Sequence, residues 1–309
     1  MRSLISGFLS LVVNETKRLI KGFLPSYAWF GVLVFISAYA LFAQEYINMS
    51  IGRSLITLNY PNNPMTEVLL YIVSFAVKSS SDVLAGNVPK MVFPVSIGVI
   101  FFLLFPYLLS LTLMGNQIIK KACTTISGEE EKKTLFVMAS SPQTRQSIFI
   151  AKFTGLLLLA LPMIILFYFI TNWVFTSRFS SAFNPSVLVL EMLFINAVLF
   201  ASAGMFLSVI FNNGKKAAWA GTKLVTVTAA LTTLWIMIPF MEFVLNLTNN
   251  STDYLMYLEK LTWYSPFTLE LMSVYDPSLF AGHFIILTAA SAALFIPGMV
   301  IFIRKDLEY

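Results

Sequence analysis

The charged residues whose types and spacing are suited to binding or catalysis lie together in one segment, Gly115–Lys152. It contains three consecutive carboxylates, Glu129–Glu131, followed by Lys132 and Lys133, with apolar residues at helical spacing around them. A charge-dense helix with a short apolar ridge is suited to docking onto a soluble partner. The alternative is a solvated loop, which would not need the acidic triplet or the break at Pro142. The residues alone leave both interpretations open.

Residue counts and missing motifs exclude several other kinds of site. The chain has one cysteine, Cys123, and one histidine, His283, so neither a disulfide nor a Cys/His metal cluster can form within one chain. It has no GxxxxGK[ST] run and therefore carries no phosphate-binding loop of its own. The HExxH pattern is also absent, which argues against an integral membrane enzyme, as does the position of the acids in one loop.

The composition determines which elements must position these residues. Of the 309 residues, 58% are hydrophobic and only 11% are charged, whereas soluble domains have roughly 45–50% and roughly 25%. A globule of this size cannot cover its surface with so few polar groups. The sequence therefore predicts an all-α polytopic membrane protein. Its net charge of +5 indicates the positive-inside bias of such proteins and not a nucleic-acid partner.

Uncharged stretches long enough to cross a bilayer predict six transmembrane helices within a single domain, 1–309. The predicted spans are 25–45, 92–116, 152–176, 186–211, 217–243 and 281–303. The apolar stretch Val68–Val77 is too short to span. The segment 117–151 is then the cytoplasmic coupling segment, and the two longer outer segments are expected to form short extracellular helices.

The distribution of basic residues predicts the orientation. With both termini in the cytoplasm, the inner segments hold 15 of the 20 Lys and Arg residues, as the positive-inside rule requires. Residues 1–24 precede the first span and place apolar side chains on one helical face and Glu15, Lys17 and Arg18 on the other. This pattern predicts an amphipathic helix that lies at the inner membrane surface.

The acidic segment resembles a motif of the ABC-2 type permeases, the membrane subunits of one class of ATP-driven exporters. The family pattern is close to E-R-E-x-G-T-L-E-x-L-L-x-x-P, followed by a basic residue and G/A-K. This chain departs from it with Glu130 for the Arg, Lys133 for the Gly and Phe136 for the second Glu. The matching residues are Glu129, Glu131, Thr134, Leu135, Pro142, Arg145, Ala151 and Lys152.

The amino-terminal helix, six spans and Ser265-Pro266-Phe267 in the last outer segment are also similar to this family. The resemblance implies a permease that forms an export pathway in the plasma membrane. ATP and Mg²⁺ would bind to a separate nucleotide-binding subunit and no cofactor to this chain. A second permease copy or a sister chain would complete the transporter. Docking onto the ATPase subunit would use Glu129, Glu131, Thr134, Leu135 and Pro142, together with Gly214 and Lys215 of the turn between spans four and five.

In this family the second and fifth spans line the pathway, which implies that Phe101, Phe105, Thr232 and Trp235 lie near the cargo. Small residues in spans four and five, such as Ala201, Gly204 and Gly221, favour close helix packing over a cargo role. The alternative function is an ion-coupled secondary transporter. That class uses inverted repeats and acids at mid-membrane, and the sequence shows no convincing repeat and no acid near a predicted span centre.

Overall fold

The computed structural model describes residues 7–20, 27–28, 31, 105–131, 133, 144–178, 186–247, 253–275 and 277–305. Within these ranges the secondary structure is entirely helical. Helix α1 covers residues 7–20. The helices that follow are α2 (Phe105–Glu131), α3 (Arg145–Arg178), α4 (Ser186–Ile210), α5 (Gly214–Leu247), α6 (Asp253–Thr262), α7 (Pro266–Tyr275) and α8 (Phe280–Arg304), with a 3₁₀ turn at Pro277–Leu279 before α8.

Four of these helices contain stretches long and apolar enough to cross a membrane: Arg145–Phe169, Val187–Ile210, Gly214–Ile238 and Phe280–Arg304. They correspond to the predicted spans three to six. The predicted first span and most of the second lie outside the described residues, as does Val68–Val77. The count of six spans therefore stays a prediction.

Helix α2 extends well beyond the predicted end of the second span and reaches Glu131. The prediction ended this span at 116 because Lys120 and Lys121 follow, but Lys120 is exposed on the surface of the same helix. The opposite face of α2 carries Ile118, Ile119 and Ile126, which are fully or almost fully buried. One helix therefore joins the apolar bundle to the first half of the predicted coupling segment.

Helix α4 lies at the centre of the fold, packed against α2, α3, α5, α7 and α8. Small residues make this possible, as predicted. A Cβ atom added at Gly204 would lie 2.4 Å from Cβ of Ala122 and 2.9 Å from the carbonyl oxygen of Ile119. Ser208 Oγ is close enough to accept hydrogen bonds from the backbone N–H groups of Ile126 and Ser127, at 3.0 and 2.9 Å. Helices α2 and α4 thus approach at backbone distance.

Helix α7 is too short to span a bilayer, yet residues 265–271 are all buried. Its polar side chains are satisfied by neighbouring helices. Thr232 of α5 shares hydrogen bonds with Ser265 and Thr268, with oxygen–oxygen distances of 2.7 and 3.0 Å. Asn196 of α4 donates a hydrogen bond to Glu270. Two short helices, α6 and α7, are therefore present in the second of the two segments predicted to lie outside, and α7 packs into the bundle.

We expect Gly204→Ala to lower the free energy of unfolding by about 1–3 kcal/mol, because the new methyl group overlaps backbone and Cβ atoms of α2. The matched control is Gly282→Ala in α8, where an added Cβ meets nothing within 4 Å. Denaturant unfolding in detergent measures both variants. Equal stability of the two would contradict the close contact between α2 and α4.

Candidate functional site: an ionic junction at the end of helix α2

Three consecutive glutamates end helix α2, and each of them contacts a different part of the fold. Successive residues of an α-helix point about 100° apart, so one surface cannot receive all three side chains. Glu129 points towards α1 and α3, Glu130 towards the end of α8, and Glu131 towards the start of α5. We call these three residues and their partners the ionic junction.

The buried part of the junction is centred on Lys152 of α3, whose side chain has no exposed surface. Its Nζ donates hydrogen bonds to Glu129 Oε2 at 2.6 Å and to Glu15 Oε1 at 3.1 Å. Arg18, which is partly exposed, pairs with both carboxylates, at 2.8 Å from Glu15 Oε2. Two cations and two anions therefore neutralise one another, as buried charges require, and of the four only Arg18 has a substantially exposed side chain.

Helix α1 reaches this cluster because α3 has a glycine beside it. A Cβ atom at Gly155 would lie 3.4 Å from Glu15 Cβ, so the two helices are in contact there. Val12 and Glu15 face the bundle, whereas Leu9, Val13 and Ile20 are exposed. Lys17 is exposed as well and lies outside the cluster. The polar face predicted for the amino-terminal helix is thus partly turned inwards, and its exposed apolar residues remain available to a membrane.

The second part of the junction holds the carboxyl end of α8. Lys305 Nζ lies 2.7 Å from Glu130 Oε2 and 3.1 Å from Asn212 Oδ1. Arg145, the first residue of α3, donates hydrogen bonds to the carbonyl oxygens of Ile303 and Lys305 at 3.0 and 2.7 Å. A cationic side chain on the last carbonyls of a helix satisfies acceptors that the helix itself leaves unpaired.

The third part lies at the start of α5. Asn213 Oδ1 accepts hydrogen bonds from the backbone N–H groups of Lys215 and Lys216, both at 3.0 Å, which makes Asn213 the amino-terminal cap. Glu131 Oε2 lies 3.4 Å from the Gly214 nitrogen. Glu131 and Lys215 are exposed. These two predicted docking residues therefore lie on either side of Gly214, which is itself buried.

Lys133, just after α2, has a backbone φ of +57°. Its N–H donates to the carbonyl oxygen of Glu130 at 2.9 Å, as at the left-handed end of a helix. This is the position at which the permease motif has Gly, and glycine adopts positive φ without the steric cost of a Cβ. This geometry gives a physical reason for the glycine in that motif. Lys133 adopts the same turn, but its Cβ makes the conformation less stable than it would be with glycine.

Other predicted site residues are placed as follows. Thr134, Leu135, Pro142 and Phe101 lie outside the described residues, and only the backbone of Phe105 is described. Thr232 is fully buried against α7, and Trp235 is half-buried beside the main core. Their role in a cargo pathway stays a prediction.

Glu270 is a functional candidate that the sequence did not reveal. It is fully buried, although it falls in a predicted outer segment. Its partner Asn196 is also fully buried. The statement that no acid approaches a span centre is therefore wrong for the folded chain. Only the packing of α7 against α4 brings this carboxyl group to the spanning helix.

Cys123 has no catalytic role in this arrangement. It is fully buried between α2 and α5, and a Cβ at Gly221 would lie 2.7 Å from its Sγ. Burial raises the pKa of the Cys123 thiol to about 12, so the reactive thiolate is scarce at neutral pH. Among the residues that the structure describes, no group of three or more His, Cys, Asp or Glu side chains could hold a metal ion.

The apolar helices long enough to span a membrane, with ion pairs of the described residues at one end of the bundle, are those of a helical membrane protein. The profile of the family described as ABC-2 family transporter protein matches residues 26–307, and the chain belongs to that family. It is thus a permease of the ABC transporter type. Members of the family normally pair with an ATP-binding subunit and are generally not enzymes themselves. No curated protein matches the chain.

We expect Lys152→Met to lower the free energy of unfolding by about 3–5 kcal/mol, because Glu15 and Glu129 lose the buried cation between them. Lys260→Met on α6 is the control, since Lys260 is exposed and should change stability by less than about 0.5 kcal/mol. Denaturant unfolding in detergent measures both. Adding Glu15→Gln and Glu129→Gln to Lys152→Met should restore much of the loss. A Lys152→Met variant as stable as the control would refute the buried cluster.

The positive φ at Lys133 predicts that a substitution there stabilises the protein, in contrast to Lys152→Met. Lys133→Gly should raise the free energy of unfolding by about 1 kcal/mol, because glycine removes the steric cost of the left-handed conformation. Lys120→Gly, in the exposed interior of α2, should instead lower stability by about 1 kcal/mol. The same unfolding measurement compares them. If both substitutions destabilise the protein equally, Lys133 does not end the helix in this way.

Proposed function

We propose that this chain is the membrane subunit of an exporter driven by ATP hydrolysis on a separate nucleotide-binding subunit. The observation that carries the proposal is the ionic junction, in which one surface bears Glu131 and the start of α5. The same junction fixes both ends of segment 132–144, through Glu129–Glu131 on one side and Arg145 on the other. A partner bound to this segment would therefore act on four helices together.

The charge distribution supports a cytoplasmic location for the junction. Arg145, Lys152, Lys215, Lys216 and Lys305 all lie at or near this end of the bundle, and positive charge is concentrated on the cytoplasmic side of membrane proteins. A soluble ATPase subunit could reach it only from that side. The proposal thus places both chain termini in the cytoplasm and the complex in the plasma membrane.

The exposure of each junction residue suggests its role in binding the ATPase subunit. Glu131 and Lys215 are exposed and would contact the ATPase subunit directly, whereas Glu129 is buried and would fix the direction in which α2 ends. Thr134, Leu135 and Pro142 would contribute the remaining contacts. Closure of two ATPase subunits on ATP would move α2 and α5, shifting the permease between two states. A second permease copy or a sister chain would complete the pathway near Phe101, Phe105, Thr232 and Trp235.

Co-expression with candidate ATPase subunits tests this proposal. Tagged wild-type permease should retain an ATPase subunit in stoichiometric amount, and the double variant Glu131→Ala/Lys215→Ala should reduce the retained amount at least about tenfold, as expected for charged interface contacts worth more than about 1.4 kcal/mol together. The control is Glu259→Ala/Lys260→Ala, an equally exposed acid–base pair on α6. It should bind like the wild type.

Two results would contradict the docking proposal. In one, the permease purifies alone with every candidate ATPase. In the other, the control pair reduces binding as much as the junction pair does. The favoured function would then be that of an ion-coupled secondary transporter. The buried carboxyl group of Glu270 beside Asn196 supports this alternative. In that case Glu270→Gln should abolish ion-driven uptake into vesicles, and an unchanged flux would reject that function too.

A further inference from the structure

Among the four spans that the structure describes, α5 has the most exposed charge, with three lysines against Glu191 on α4 and Arg304 at the end of α8. Helices α5 and α8 are the two least buried spans. Between Ala281 and Ile303, the exposed residues of α8 carry no charge, which is what a lipid-facing surface requires. On α5, six exposed residues fall within one stripe about 100° wide. These are Lys215, Lys216, Trp219, Lys223, Thr226 and Ala230; we call them the basic stripe.

Lys223 is the residue of the stripe that needs an explanation. It lies nine positions after Gly214, about 13 Å along the helix at 1.5 Å per residue, where an exposed ammonium group would meet hydrocarbon. A lysine at bilayer depth costs roughly 2.5–3.5 kcal/mol unless its side chain turns back or finds a partner. Its Nζ lies 5.8 Å from the ring centroid of Trp219, one turn nearer the start of α5. The side chain therefore turns back and places its charge at the level of the indole.

Within the part of the chain that the structure describes, this charge has no ion-pair partner. No carboxylate of the described residues forms an ion pair with Lys216 or Lys223. The Thr226 hydroxyl donates to the backbone carbonyl of Thr222 at 2.9 Å and so has its partner already. Trp219 is 66% exposed, and its indole is the type of side chain found at the level of lipid head groups. Within the stripe, Lys216, Lys223 and Trp219 thus present two ammonium groups and an indole at the depth of a phosphate ester.

We propose that the basic stripe binds an anionic phospholipid from the leaflet at which α5 begins. Its phosphate would lie between the ammonium groups of Lys216 and Lys223, and its glycerol backbone would lie against the Trp219 indole. Charge complementarity selects this occupant, because a zwitterionic lipid brings its own cation to the site. The inference rests on the proposed function only for the identity of that leaflet as the cytoplasmic one.

Quenching of tryptophan fluorescence by brominated lipids tests the proposal. The permease, without an ATPase subunit, is reconstituted in phosphatidylcholine vesicles that contain graded fractions of brominated phosphatidylglycerol or brominated phosphatidylcholine. The Trp219 signal is obtained by difference from Trp219→Phe. We expect the association constant for phosphatidylglycerol to exceed that for phosphatidylcholine by at least about fivefold, the factor that corresponds to roughly 1 kcal/mol for one lysine at an anionic surface.

Lys223→Met should reduce this preference about fivefold, and adding Lys216→Met should abolish it, with Trp219 still quenched by both lipids. The matched control Lys260→Met should keep the wild-type preference. Raising the ionic strength should weaken the preference, since exposed charges are screened. The assay contains no ATPase, so a failed docking experiment and a failed lipid experiment are separate outcomes.

Three outcomes would overturn the proposal. One is a wild-type preference close to unity. Another is a preference that survives loss of both Lys216 and Lys223, which would assign it to general attraction by the basic protein. The third is a Trp219 signal that neither brominated lipid quenches, because a second copy of the chain seated on the stripe would shield the indole from lipid.

Discussion

The buried ammonium group of Lys152 is the constraint on which the charged end of the molecule depends. It lies between carboxylates from two other helices, Glu15 on α1 and Glu129 on α2. A lone buried charge would be strongly destabilising, so each of the three helices is fixed by the presence of the other two. Once Glu129 is held in this way, helical geometry points Glu130 towards α8 and Glu131 towards α5. One neutral cluster thereby orients four spanning or near-spanning helices relative to segment 132–144.

The apolar part of the bundle makes this arrangement stiff. Gly204 brings α4 into backbone contact with α2, and Gly221 brings α5 against the side chains of Cys123 and Ile119 on α2. Closely packed helices have few intermediate positions, because interiors respond to displacement by changing packing state and not by gradual deformation. A force applied at the ionic junction would therefore reach the part of the bundle where Thr232 and Asn196 hold α7. This mechanical continuity is what a permease driven by a separate subunit needs.

The exposed faces of α5 and α8 differ in their chemistry. The outward face of α8 is apolar throughout its span and suits lipid chains, whereas the outward face of α5 carries the basic stripe. A lysine in such a place is tolerated because its long stem lets the charge lie nearer the interface while the methylenes stay in the membrane. The stripe begins beside Gly214, within the same turn that contacts Glu131. Lipid contact and partner docking would thus meet at one end of α5.

The sequence by itself determined the class of protein, the four spans that are described, the small-residue packing and the membership of a permease family. These depend on composition, stretch length and local motif, which are properties of neighbouring residues. Tertiary structure alone decided that Glu129 is buried, that α2 runs through the charged segment, and that Glu270 reaches Asn196. The contacts of Glu129 with Lys152 and of Glu270 with Asn196 join residues more than 20 positions apart. Sequence hydropathy assigns a charged residue to water because it contains no information about a counter-charge supplied by another helix. Lys152 and Glu129 are therefore predicted at the ends of their helices near water, whereas the structure buries both.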